Sequence, residues 1–163
     1  EGTLHDAETG LRWLVDQPDV QSQPLFLLGQ SLGGALGTAL ASEWVKRDEQ
    51  PPLDGVILDG TFSGFRAIAR EKLGDFWLTW PLQVPLSWTI TDEYEAYERI
   101  GYISPVPVMV IHSVRDGIIP FHHGERLYEE AEEPKTFLQT DTPHASTFVI
   151  PGYQQEVLEF MQK

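Results

Sequence analysis

The chain predicts an α/β fold, a parallel sheet with helices on both faces, and three observations carry that prediction. The runs "LFLL" (25–28), "GVILDG" (55–60) and "PVMVIHS" (107–113) are apolar without alternation, as strands buried inside a parallel sheet are. Stretches of helical period separate them, which implies parallel pairing through right-handed crossovers. The segment "GQSLGG" (29–34) sits where the first strand gives way to a helix, and ligand sites in such sheets lie at the carboxyl ends of strands.

Each element follows from local pattern. Thr3 with Asp6 has the form of a capping box, and Leu4, Ala7, Leu11, Leu14 and Val15 recur at helical spacing, so the first helix runs to Asp16. "DQPDVQSQP" is a polar, proline-bounded loop before strand 25–28. A helix follows from Leu32 to Lys46, in which Gly34 and Gly37 let it lie close on the sheet. "QPP" (50–52) breaks the chain before strand 55–60, and "FRAIAREKLG" (65–74) reads as a helix. Residues 75–90 have no clean period. "DEYEAYERIGYI" (92–103) is helical again, with Tyr94, Tyr97, Ile100 and Gly101 on one side. Strand 107–113 leads to the helix "FHHGERLYEEAEE" (121–133). A shorter strand, "KTFLQ" (135–139), leads to the helix "YQQEVLEFMQK" (153–163), where Tyr153, Val157, Phe160 and Met161 are in register.

Composition narrows the function classes. The 163 residues suit one domain with a real core. A net charge of −14 disfavours nucleic acid and anionic membrane surfaces as partners. With no cysteine there is no disulfide, thiolate nucleophile or thiolate metal site, and a cytoplasmic location is favoured. The longest charge-free stretch, Phe76 to Thr91, carries Pro81 and Pro85, so no transmembrane segment is expected.

The G-x-S-x-G segment puts Ser31 at the apex of a tight strand-to-helix turn. Such a turn strains the serine backbone, and Gly29 and Gly33 are expected to supply the missing bulk around it. The free N–H groups of the following helix point at the serine oxygen. A serine needs a base, and the base needs an orienting carboxylate, here expected at later strand ends in the order Ser, acid, His. Asp116 follows the third strand and His144 the fourth. Asp59, which ends the second strand, is the rival acid. Asp141 reads as a solvated loop residue and His112 as a packed strand residue. His122 and His123 read as surface or capping residues, with no further metal ligand spaced for them, and His5 sits in the first helix. No metal or cofactor is expected.

Taken together, "GQSLGG", "VPVMVIHSVRDGIIP" and "TPHAS" resemble the α/β-hydrolase superfamily, most of all its BEM46-like branch of serine hydrolases; "DFWLTWPL" and "HGERLYEEAEEPK" add to the likeness. The resemblance implies Ser31 as nucleophile, His144 as general base and acid, Asp116 as orienting carboxylate, and the Leu32 N–H as one oxyanion donor. Pro143 departs from the family, which often has glycine shortly before the histidine. The superfamily sheet normally has eight strands, and this chain matches the last four, so the resemblance implies the C-terminal portion of a hydrolase. The second oxyanion donor would then lie upstream of Glu1. Strand 25–28 would be a bare edge, expected to pair with the upstream segment or with a second copy of the chain. Alone, the chain is expected to be a weak catalyst.

Residues 61–104 occupy the place of the family's substrate-selecting, cap-like insertion. Phe76, Trp77, Leu78, Trp80, Leu82, Val84, Leu86, Trp88 and Ile90 make it apolar, which fits either a packed cap or an acyl pocket. The implied activity is cleavage of an ester, thioester or amide of a small-molecule acyl substrate through an acyl-enzyme. The alternatives are acyl transfer and a non-catalytic interaction module that keeps the fold.

Overall fold

The computed structural model describes residues 2–47, 51–74 and 95–162. Among the described residues, six helices, α1 (Gly2–Val15), α2 (Leu32–Val45), α3 (Phe65–Gly74), α4 (Ala96–Arg99), α5 (His122–Glu130) and α6 (Pro151–Phe160), accompany four strands. The strands are β1 (Phe26–Gln30), β2 (Gly55–Asp59), β3 (Val108–Ser113) and β4 (Lys135–Thr140). A 3-10 turn, Ile100–Ile103, continues α4. The strands form one sheet in the order β1-β2-β3-β4, and every pair is parallel.

Side-chain alternation along β2 and β3 divides the core between two faces. Val56, Leu58, Val108 and Val110 point to one face, against Leu11 and Val15 of α1, Trp44 of α2, Ile100, Ile103 and Leu127. Ile57, Met109 and Ile111 point to the other, against Val157 and Phe160 of α6. Both faces of the central strands are covered, so their runs carry no polar alternation.

Several expected bounds shift. Helix α1 begins at Gly2, so Thr3 already lies within it rather than before its first turn. Residues 96–103 split into a short α-helix and a 3-10 turn, while 92–94 lie outside the described residues. The last helix starts two residues early at Pro151, whose fixed φ suits the first helical position. The run "LFLL" is not buried on both faces, in keeping with the bare edge expected for this strand. Strand β1 is at the edge of the sheet among the described residues, and Leu28 is 51% exposed. Of the expected insertion 61–104, residues 75–94 and their aromatic cluster lie outside the described residues, and the flanks form α3 and α4. No helix among the described residues is long and apolar enough to cross a membrane.

Candidate active site

Ser31 stands between β1 and α2 with φ 54° and ψ −122°, a strained backbone for a non-glycine residue. The turn is held by the Ser31 N–H, which donates to the Asp59 carbonyl (2.9 Å), and by the Gly34 N–H, which donates to the Ser31 carbonyl (3.0 Å). Glycine is required at 29, because a Cβ there would lie 2.6 Å from the Gly33 oxygen and from Gly34 Cα. At Gly34 a Cβ would sit 1.7 Å from Thr61 Oγ1, so this glycine lets α2 approach the end of β2. The expectation for Gly33 is corrected: a Cβ there meets nothing within 4 Å among the described residues, so steric closeness does not account for it. Leu32 opens α2, and its N–H is among the first four of the helix, which have no intrahelical acceptor.

The loops after β3 and β4 bring two more side chains to this turn. His144 Nε2 lies 3.1 Å from Ser31 Oγ, and His144 Nδ1 lies 2.6 Å from Asp116 Oδ2. The other carboxylate oxygen, Oδ1, accepts the N–H groups of Ile118 and Ile119, both at 2.8 Å. Burial of Asp116 pushes its proton affinity up, but the hydrogen bonds from His144, Ile119 and Ile118 outweigh it and hold the carboxyl below its ordinary range. With Oδ2 occupied by Nδ1–H, His144 Nε2 is an acceptor facing the serine hydroxyl. Gly60, at φ +57°, passes under the imidazole; a Cβ there would be 3.3 Å from His144 Nδ1.

Asp59 is buried beside this group but does not touch His144. One oxygen accepts Gln30 Nε2 and the other accepts Thr147 Oγ1, each at 2.8 Å. Gln30 Nε2 also donates to the Ala145 carbonyl at 3.3 Å. Asp59 therefore braces the residue before Ser31 against the residues after His144, where Ala145 has φ 56°. Sequence reasoning ranked Asp59 as a rival acid and missed Gln30 and Thr147. No linear signal joins positions 30, 59 and 147; parallel pairing of Gln30 with Asp59 does.

The remaining candidates fall elsewhere. His112 is fully buried, donates Nε2–H to the Ile119 carbonyl (3.0 Å), and is kept neutral by burial. It thereby holds the loop that carries Asp116. Asp141 is exposed and accepts the Tyr153 hydroxyl (2.9 Å), and His5 is exposed on α1. His122 is exposed, but His123 is not the surface or capping residue expected: it is fully buried, because α5 turns it inward onto Ser63. A cavity of about 660 Å³, lined by Pro24, Phe26, Pro107 and Phe160 among others, opens at the amino ends of the strands, away from Ser31.

No protein-family model matches the chain. The chain is similar to the uncharacterized protein YfhR of Salmonella typhi, with 33% identity over 99% of this chain and 55% of that protein. It is also similar to the lysophosphatidylserine lipase ABHD12 of Danio rerio, with 28% identity over 83% of this chain and 35% of that protein. Among solved structures, the Pyrococcus furiosus esterase Pf2001 aligns with a TM-score of 0.68 and 21% identity, covering 98% of this chain and 60% of the esterase. The chain spans about half the length of the first curated relatives it matches. It has the α/β-hydrolase fold.

Proposed function

We propose that this chain carries the reacting residues of a serine hydrolase that cleaves an acyl ester, thioester or amide through an acyl-enzyme. The observation that carries this reading is the unbroken hydrogen-bonded path from Ser31 Oγ to His144 Nε2 and from His144 Nδ1 to Asp116 Oδ2. Ser31 Oγ attacks the acyl carbonyl carbon while its proton passes to His144 Nε2. Asp116 fixes the tautomer and steadies the imidazolium. The Leu32 N–H, at the positive end of α2, faces the oxygen that gains charge. His144 then returns the proton to the leaving group, and water repeats the sequence to free Ser31. A second oxyanion donor, from a segment upstream of Glu1, belongs to the same proposal.

The names of the similar proteins, an esterase and a lysophosphatidylserine lipase, support ester cleavage of an apolar acyl chain. The apolar composition of 75–90 supports the same choice. Residues 61–104 would then be the cap-like insertion of one 1–163 domain, and the β1 edge would take an upstream strand or a second copy. The test is labelling with a fluorophosphonate probe. Wild type should label and Ser31→Ala should not. Equal labelling of both, or none in a protein that hydrolyses p-nitrophenyl esters, would remove Ser31 as nucleophile. No labelling and no hydrolysis would favour a binding module.

A further inference from the structure

We propose that Glu71, His122 and His123 form a site for a divalent transition-metal ion such as zinc, tying helix α3 to helix α5. Glu71 comes from the last turn of α3, and the two histidines open α5. The imidazoles are stacked, with ring centroids 4.6 Å apart and planes 28° apart. Both Nε2 atoms face one carboxylate: His122 Nε2 is 3.0 Å from Glu71 Oε1, and His123 Nε2 is 3.2 Å from Oε2. The three ligand atoms all lie within 4.8 Å of one another. Two imidazoles and a carboxylate are a donor set that zinc accepts, with the fourth position left to water.

The surroundings fit an ion. His123 is fully buried and its Nε2 is directed at the Glu71 carboxylate. Its Nδ1 faces Ser63, from which the backbone N–H donates at 3.1 Å and Oγ stands at 2.9 Å. Without an ion, Nδ1 accepts and Nε2–H is directed at Glu71. With an ion on Nε2, the ring proton moves to Nδ1 and Ser63 Oγ accepts it, giving the outer partner that metal-bound histidines use. That tautomer leaves the Ser63 N–H without its acceptor, which makes binding weaker than at a fully satisfied site. The net charge of −14 raises the local cation concentration. Helix α3 leads directly into residues 75–94, so the ion would fix the last turn before that segment.

The site shares no residue with Ser31, His144 and Asp116, and its test does not depend on hydrolysis. Tag-free protein is titrated with zinc chloride by calorimetry, alongside Glu71→Gln and His122→Ala; both positions are partly exposed, so both variants should fold, as circular dichroism checks. The expected result is about one ion per chain for wild type, with binding weakened about tenfold or more in each variant. Cobalt should give the intense visible bands of a four-coordinate ion in wild type and lose them in both variants. No binding by wild type at millimolar zinc, or undiminished binding by either variant, overturns the proposal.

Discussion

Replacing Asp116 by asparagine keeps the side chain's shape and changes one acceptor into a donor. Asp116 uses both oxygens, one for the N–H groups of Ile118 and Ile119 and the other for His144 Nδ1–H. If the asparagine turned its NH2 toward the two backbone groups, two donors would face a third, at about 1–3 kcal/mol for each unpaired group. Turning the NH2 toward His144 costs less, because the imidazole can change tautomer. His144 then carries its proton on Nε2, facing Ser31, and cannot take the hydroxyl proton. The expected fall in kcat is up to about 10⁴, or roughly 5.5 kcal/mol of barrier, with little change in fold. Steady-state hydrolysis of p-nitrophenyl butyrate gives kcat, and a thermal melt checks the fold. A variant within about tenfold of wild type, or greater damage from Asp59→Asn, would refute this assignment of the acid.

Asp59→Ala should leave Gln30 and Thr147 without their shared acceptor, lowering stability by about 1–3 kcal/mol and kcat by about tenfold, far less than Asp116→Asn. Urea titrations and ester hydrolysis measure the two effects, and an unchanged midpoint would count against the brace. Gly34→Ala should cost about 1–3 kcal/mol by driving a Cβ into Thr61, and Thr61→Ala should recover part of it, since Oγ1 and Cγ2 go but the Thr61 Cβ stays 2.8 Å away; additive melts in the double variant would contradict that contact. His112 and His123 are held neutral by burial, with folded pKa values below the ordinary 6.5. The unfolded chain therefore takes up protons first as pH falls below 6.5, and stability should decline from there through the folded values. A urea midpoint that is constant between pH 7.5 and pH 5 would contradict this.

The strands and long helices were legible because periodicity is local: β2 and β3 are apolar on both faces since helices cover both. Ser31, Asp116 and His144 could be named because each stands at a strand end, and parallel strands in sequential order bring those ends together. What stayed hidden depends on contacts between distant segments. Asp59 could not be told from an acid until Gln30 and Thr147 were seen to occupy its oxygens. His123 was misjudged because its neighbours, Ser63 and Glu71, come from other elements. The apolar run at 25–28 does not itself say which strand lies at a sheet edge; the expectation of a bare edge there came from the family resemblance, and Leu28 is exposed accordingly.

The central claim is that Ser31 becomes acylated, and acid-quenched mass spectrometry tests it most directly. The protein is mixed with p-nitrophenyl butyrate, quenched within the first turnovers, and digested. The expected result is one butyryl group on the peptide carrying Ser31, absent from Ser31→Ala and strongly reduced in His144→Ala. Hydrolysis that proceeds with the acyl group on another residue, or undiminished in Ser31→Ala, would contradict the account.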